Sequence, residues 1–226
     1  PLLSGVQDDP ERFARMCGKT HRLAAYLLFP AMCLLAVMAT PIFHTLFGPK
    51  WDLSIVLFQL LLLRGIFMIL SSLYSNFILS MGLAKLLVVC EIVRDVAAII
   101  AIIVILPYIR LAPSYNLVYG VEIFLWGQLA AAAVTWAVSL VMIVRITSRG
   151  ILAYLADLAP YCAITCLALL PCLYIPSIPS LSDLGICLLQ TLTFGVIYIG
   201  VNALMKSRIQ ADVLGYLFGS FSRRAK

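Results

Sequence analysis

Apolar residues gather into six runs parted by short polar or Pro- and Gly-bearing breaks. The runs are Leu23–Phe43, Leu53–Ser80, Leu86–Leu106, about Val121–Val144, Tyr161–Ile175 and Leu184–Met205. Most reach the ~20 residues that a helix needs to cross a bilayer. The pattern predicts an all-α integral membrane protein of six transmembrane helices. Pro30 is expected to kink the first span, and Pro171 to break the short fifth. Gly48-Pro49 breaks the chain after the first span, with Trp51 where aromatic belts anchor. Met81–Lys85 is expected as a tight turn, and Pro107–Gly120 as the longest early loop. Arg145, Arg149 and Gly150 mark a subdomain seam, after which Ile151–Leu158 reads as a short segment before Pro160.

Four divisions follow. Residues 1–22 form a cytoplasmic lead-in, with Asp9 as a cap, Pro10 at the first helical position and Glu11 in the first turn. Residues 23–146 are four spans lining part of a cavity, and 147–207 a peripheral helix pair. Residues 208–226 form a basic tail suited to lie on the membrane surface.

Composition agrees. Hydrophobic residues make up 63% of the chain, charged residues 12%, and the mean hydropathy is +1.07. A soluble domain carries roughly 25% charged residues. The net charge of +6 on 226 residues would suit nucleic acid, but its placement points to the bilayer. Of 16 Lys and Arg, twelve fall on one side of the predicted topology: Arg12, Arg15, Lys19, Arg22, Lys85, Arg145, Arg149, Lys206, Arg208, Arg223, Arg224 and Lys226. Lys50 and Arg110 fall on the other, and Arg64 and Arg94 within spans. This asymmetry places both ends in the cytoplasm and excludes a nucleic-acid partner. The chain starts with Pro and no signal-peptide pattern precedes the first span, so a piece of a longer protein is expected.

The second and third spans carry the unusual residues. Arg64 lies in one; Glu91, Arg94 and Asp95 lie in the other. At ~1.5 Å per residue, antiparallel helices bring Arg64 and Asp95 to a similar depth, roughly 15 Å into the membrane. An ionised side chain there costs at least ~2.5–3.5 kcal/mol, so these charges must face one another, a bundle interior or water. Glu91 and Asp95 share a helix face, with Arg94 one turn from Glu91. Arg64, Ser71 and Ser75 fall within about 20° of one another around their helix, which makes a polar stripe. The group is expected to line a substrate path, with Arg64 as a cation suited to phosphate; a self-neutralising packing cluster is the plainer reading. The last two spans hold no ionised residue, so the cavity is expected among the first four.

Other signals are weaker. Cys162 and Cys166 are one turn apart, with no His or acid in that turn to complete a metal site. His44 reads as an interfacial residue, and Ala133 with Ala137 as a close-packing pair. No paired catalytic acids, nucleophile elbow, glycine-rich phosphate loop or His cluster appears. Neither catalysis, a metal nor a cofactor is expected.

One ordered set of motifs carries a resemblance. Pro1-Leu-Leu-Ser4, Gln7-Asp8-Asp9-Pro10-Glu11-Arg12, Phe29-Pro30 and Leu46-Phe47-Gly48-Pro49-Lys50-Trp51 occur in this order. In these motifs the chain resembles the C-terminal part of polysaccharide (O-antigen type) flippases. These form a branch of the multidrug/oligosaccharidyl-lipid/polysaccharide exporter superfamily. The match is densest over residues 1–85. It implies four helices of the second lobe of a two-lobe exporter plus a C-terminal pair. It also implies a bacterial inner-membrane location, an undecaprenyl-pyrophosphate-linked oligosaccharide as substrate, and a missing N-terminal part as partner. Membrane lipid, and polymerase or glycosyltransferase machinery, are further implied partners. By position the resemblance gives Arg64, then Arg94, the task of meeting pyrophosphate or acidic sugars. Glu91 and Asp95 depart from a strongly cationic cavity. Three alternatives remain at this point: a cation-coupled multidrug exporter using Glu91 or Asp95, an enzyme acting on polyprenyl phosphates, and a structural membrane subunit.

Overall fold

The computed structural model describes residues 10–111, 117–177, 181–213 and 215. Among them there is no strand. The helices are α1 (Pro10–Val37), α2 (Ala39–Leu46), α3 (Asp52–Ser80), α4 (Ala84–Leu111), α5 (Leu117–Thr147), α6 (Ile151–Cys172) and α7 (Asp183–Leu204). All but α2 run 22 residues or more. Helices closing their own backbone hydrogen bonds are the form such apolar sequence can take in lipid. Among the described residues five of them, α1, α3, α5, α6 and α7, are long and apolar enough to cross a membrane. The sixth, α4, is 28 residues long and carries the charged cluster.

Several boundaries differ from the sequence pattern. The first run is continuous helix from Pro10 to Val37 with Pro30 inside it. Helix is interrupted at Met38, three residues before Pro41, whose ring crowds the turn behind it. Phe13, Cys17 and His21 lie on one helix face and are 1%, 0% and 0% exposed. Pro107 does not open a loop but sits inside α4. Pro160 likewise sits inside α6, so Ile151–Leu158 and the fifth run form one 22-residue helix. That continuity brings Asp157 into the C-terminal pair, which therefore does hold an ionised residue. The turn at Met81–Leu83 forms as expected. Gly82 takes φ 71 there, a left-handed value that glycine adopts without strain, and its N–H donates to the Leu79 carbonyl at 2.9 Å. Asp8-Asp9 and most of the tail lie outside the described residues.

Helix α1 is the spine. Its Ala25 and Leu28 share one buried cluster with Ile66 and Leu70 of α3, Tyr161, Ile164 and Ala168 of α6, and Phe194 and Tyr198 of α7. The Tyr198 hydroxyl donates to the Tyr26 carbonyl at 2.8 Å, tying α7 to α1. A second core joins Phe13 and Cys17 to Tyr74, Phe77 and Ile78 of α3, Leu140 and Ile143 of α5, and Tyr154 of α6. The last pair thus completes the main core. Helices α3, α4 and α5 form a group of their own. Ile105 of α4 fills the space left by the missing side chain of Gly127 on α5, so the two helices approach closely there. Gly127 and the buried Ala131 mark this seam, while Ala137 is exposed.

The bundle has two chemically different ends. At one, Asp157 receives Arg22 at 2.9 Å and Arg149 at 3.2 Å, and Lys19 meets Asp212 at 2.6 Å. At the other, His44 Nε2 lies 2.8 Å from Asp52 Oδ1, and Nδ1 lies 3.9 Å from Asp183.

Candidate functional site

A cavity of about 370 Å³ opens between α3, α4 and α5. All six residues singled out from the sequence line it: Arg64, Ser71 and Ser75 from α3, and Glu91, Arg94 and Asp95 from α4. Helical spacing explains the α3 side, since residues four and seven apart stack along one face. Ser71 and its neighbour Ser72 both reach the cavity, and the Ser71 hydroxyl donates to the Phe67 carbonyl at 2.8 Å.

The sequence pattern did not single out the third wall. Gln128, Ala131, Ala132, Thr135 and Ser139 of α5 complete the lining. Gln128, Thr135 and Ser139 recur at helical spacing, a signal available in the sequence but masked by the apolar residues between them. Thr135 and Ser139 are 7% and 1% exposed, and Thr135 donates to the Ala131 carbonyl at 2.9 Å. Helix α1, the first predicted span, contributes nothing to the lining. Its two packing faces are already occupied by α3 and α6.

The charges divide into two groups. Arg94 pairs with Glu91 one turn back, and its Nε lies 3.3 Å from Asp95 Oδ1. These three side chains are 42% to 67% exposed, so the α4 wall of the cavity is an open, polar, self-compensating patch. Arg64 stands apart. Its Nε is buried without a hydrogen-bond partner, and among the described residues it forms no ion pair with Asp95 or any other carboxylate. A buried, unmatched donor on a cationic fork is a site for an oxyanion or for sugar oxygens. Around it the cavity offers the hydroxyls of Ser71, Ser72, Ser75, Thr135 and Ser139 and the amide of Gln128. Arg64, Glu91, Arg94 and Asp95 together sum to no net charge.

Other flagged residues fall elsewhere. His44 sits at the far end beside Asp52, and Cys162 and Cys166 are exposed on α6. Among the described residues no group of His, Cys, Asp and Glu is placed to hold a metal ion.

Comparison with known proteins converges on one process. Residues 1–56 match the model of a family described as "Polysaccharide biosynthesis protein". That stretch contains every motif residue from Pro1 to Trp51. The chain is also 26% identical over 123 residues to an uncharacterized membrane protein in the cps region of Klebsiella pneumoniae. The alignment covers 54% of this chain but only 24% of that protein's length. No solved structure matches. The likeness supports a multi-pass, polysaccharide-synthesis membrane protein. A role in polysaccharide biosynthesis is the function it suggests.

Proposed function

We propose that the chain is the cavity-bearing C-terminal part of a flippase. Its substrate is an undecaprenyl-pyrophosphate-linked oligosaccharide, moved across the bacterial inner membrane for surface polysaccharides such as O-antigen or exopolysaccharide. The observation that carries the reading is Arg64: a guanidinium whose buried Nε has no hydrogen-bond partner, in a cavity that offers hydroxyls and an amide beside the mutually paired charges of Glu91, Arg94 and Asp95. A guanidinium suits phosphate through parallel N–H···O bonds, and the hydroxyls suit sugar. The exposed charges of α4 add support. Facing lipid, they would carry the cost of buried ionised groups; facing a water-filled path closed by the rest of the protein, they do not. The action in this reading is transport. The missing N-terminal part is its structural partner, and polymerase or glycosyltransferase machinery its functional neighbour.

A cation-coupled drug exporter would use Glu91 or Asp95 as the coupling carboxylate. Arg94 engages both, which favours the flippase. Substitution in the full-length protein tests it. Arg64→Ala should reduce surface polysaccharide while protein levels in the membrane stay unchanged. Unchanged polysaccharide would remove Arg64 from the mechanism, and drug resistance lost on Asp95→Asn would favour the exporter.

A further inference from the structure

A second cavity, of about 700 Å³, lies at the basic end of the bundle, well away from Arg64. It exists because the chain folds back after α7. Lys206 takes a left-handed turn at φ 50, and the Ser207 N–H donates to the Asn202 carbonyl at 3.1 Å. Helical backbone then resumes over 208–213. Three tethers hold this segment in place. Ile209 is 5% exposed within the main core, Gln210 donates to the Ile199 carbonyl at 3.1 Å, and Asp212 meets Lys19 of α1. The cavity lies open between this segment, α1 and Tyr161 of α6.

Its lining holds three cations, Lys19, Arg22 and Arg208, against one carboxylate, Asp212. Asp212 takes Lys19, and Asp157 takes Arg22. Arg208 is left, exposed and without an ion pair among the described residues. Ser207 beside it and Tyr161 across the cavity add hydroxyls. A guanidinium next to hydroxyls matches a phosphate diester. Immediately before this basic turn, α7 ends in Leu204 and Met205, which are 84% and 61% exposed. An exposed apolar strip leading into a basic cradle suits a molecule with a charged head and an apolar tail. It offers nothing to free phosphate.

We propose that this cavity seats the headgroup phosphate of an anionic phospholipid, held by Arg208 and Ser207, with its acyl chains along the end of α7. Basic cavities between membrane helices on the cytoplasmic side have this chemistry. The proposal does not depend on the flippase reading, because none of these residues lines the α3–α4–α5 cavity.

The test uses the full-length protein purified in detergent. Lipid retained through purification is counted by mass spectrometry. Thermal unfolding is then followed with added phosphatidylglycerol, phosphatidylcholine or inorganic phosphate. Phosphatidylglycerol should raise the unfolding midpoint and phosphatidylcholine should not. Arg208→Gln should weaken phosphatidylglycerol retention about five-fold, the worth of one interfacial cation, with Arg208→Lys intermediate. Lys50→Gln, at the opposite end, and Arg64→Ala should leave retention unchanged. Equal retention by Arg208→Gln and the parent protein would overturn the proposal. So would stabilisation by inorganic phosphate equal to that by phosphatidylglycerol, which would mark a free-anion site.

Discussion

The guanidinium of Arg149 occupies the space that a side chain would need at Gly18. From there it reaches Asp157 at 3.2 Å and lies over the Tyr154 ring, 5.1 Å from its centroid. Gly18 is thus the notch in α1 that lets the α5–α6 junction close onto the spine. An alanine in a helix is normally favoured over glycine by ~0.5–1 kcal/mol. Here the sign should reverse: Gly18→Ala should lower stability by about 1 kcal/mol, since the displaced Arg149 leaves both partners. Thermal unfolding of Gly18→Ala, Asp157→Asn and the double variant checks this. The two losses should overlap and not add.

Asp157 serves two arginines with a side chain only 13% exposed. Removing it leaves Arg22 and Arg149 facing each other without a counter-charge. Asp157→Ala should cost about 2 kcal/mol, less than a fully buried pair because both bridges are part-buried. By contrast, Glu11→Ala should have little effect, because its bridge to Arg15 is on the surface. Comparing unfolding midpoints of the two variants decides whether burial sets the difference.

The α4–α5 seam predicts a suppressor. Gly127→Ala should push Ile105 off α5 and cost about 1–3 kcal/mol through overpacking. The clash falls on the last methyl of Ile105, so Ile105→Val should restore stability to Gly127→Ala. Failure of that rescue would show that the seam is held by something other than this contact.

Asp95 is engaged by Arg94, while Arg64 stands apart. A charge swap therefore should not work: Arg64→Asp with Asp95→Arg should export no better than either single change. Restored surface polysaccharide in the swap would mean that Arg64 and Asp95 pair in some state of the transport cycle.

Much of the site was legible before the fold. The stripe of Arg64, Ser71 and Ser75, and the cluster of Glu91, Arg94 and Asp95, each lie within one helix, where spacing alone decides which residues share a face. Both reach the same cavity. The α5 wall was not read, because Thr135 and Ser139 are neutral residues in an apolar run and hydropathy barely registers them. His21 went unnoticed for a similar reason: it sits in a stretch whose basic residues dominate its appearance.

By itself the sequence determined the all-α membrane class, the approximate number of long helices and the two charged ends. These are local consequences of apolar run length and of which residues flank each run. Proline was the misleading local signal. Pro107 and Pro160, expected at helix boundaries, both sit inside helices because packing on neighbouring helices outweighs one missing hydrogen bond. Only the tertiary structure decided that α1 is the spine, that α6 and α7 complete its core, and that Asp157 joins Arg22 to Arg149 across 135 and 8 residues of chain. It also decided that Arg94 and not Arg64 holds the acids of α4. Such partnerships depend on how helices cross, and helical periodicity carries no information about the crossing.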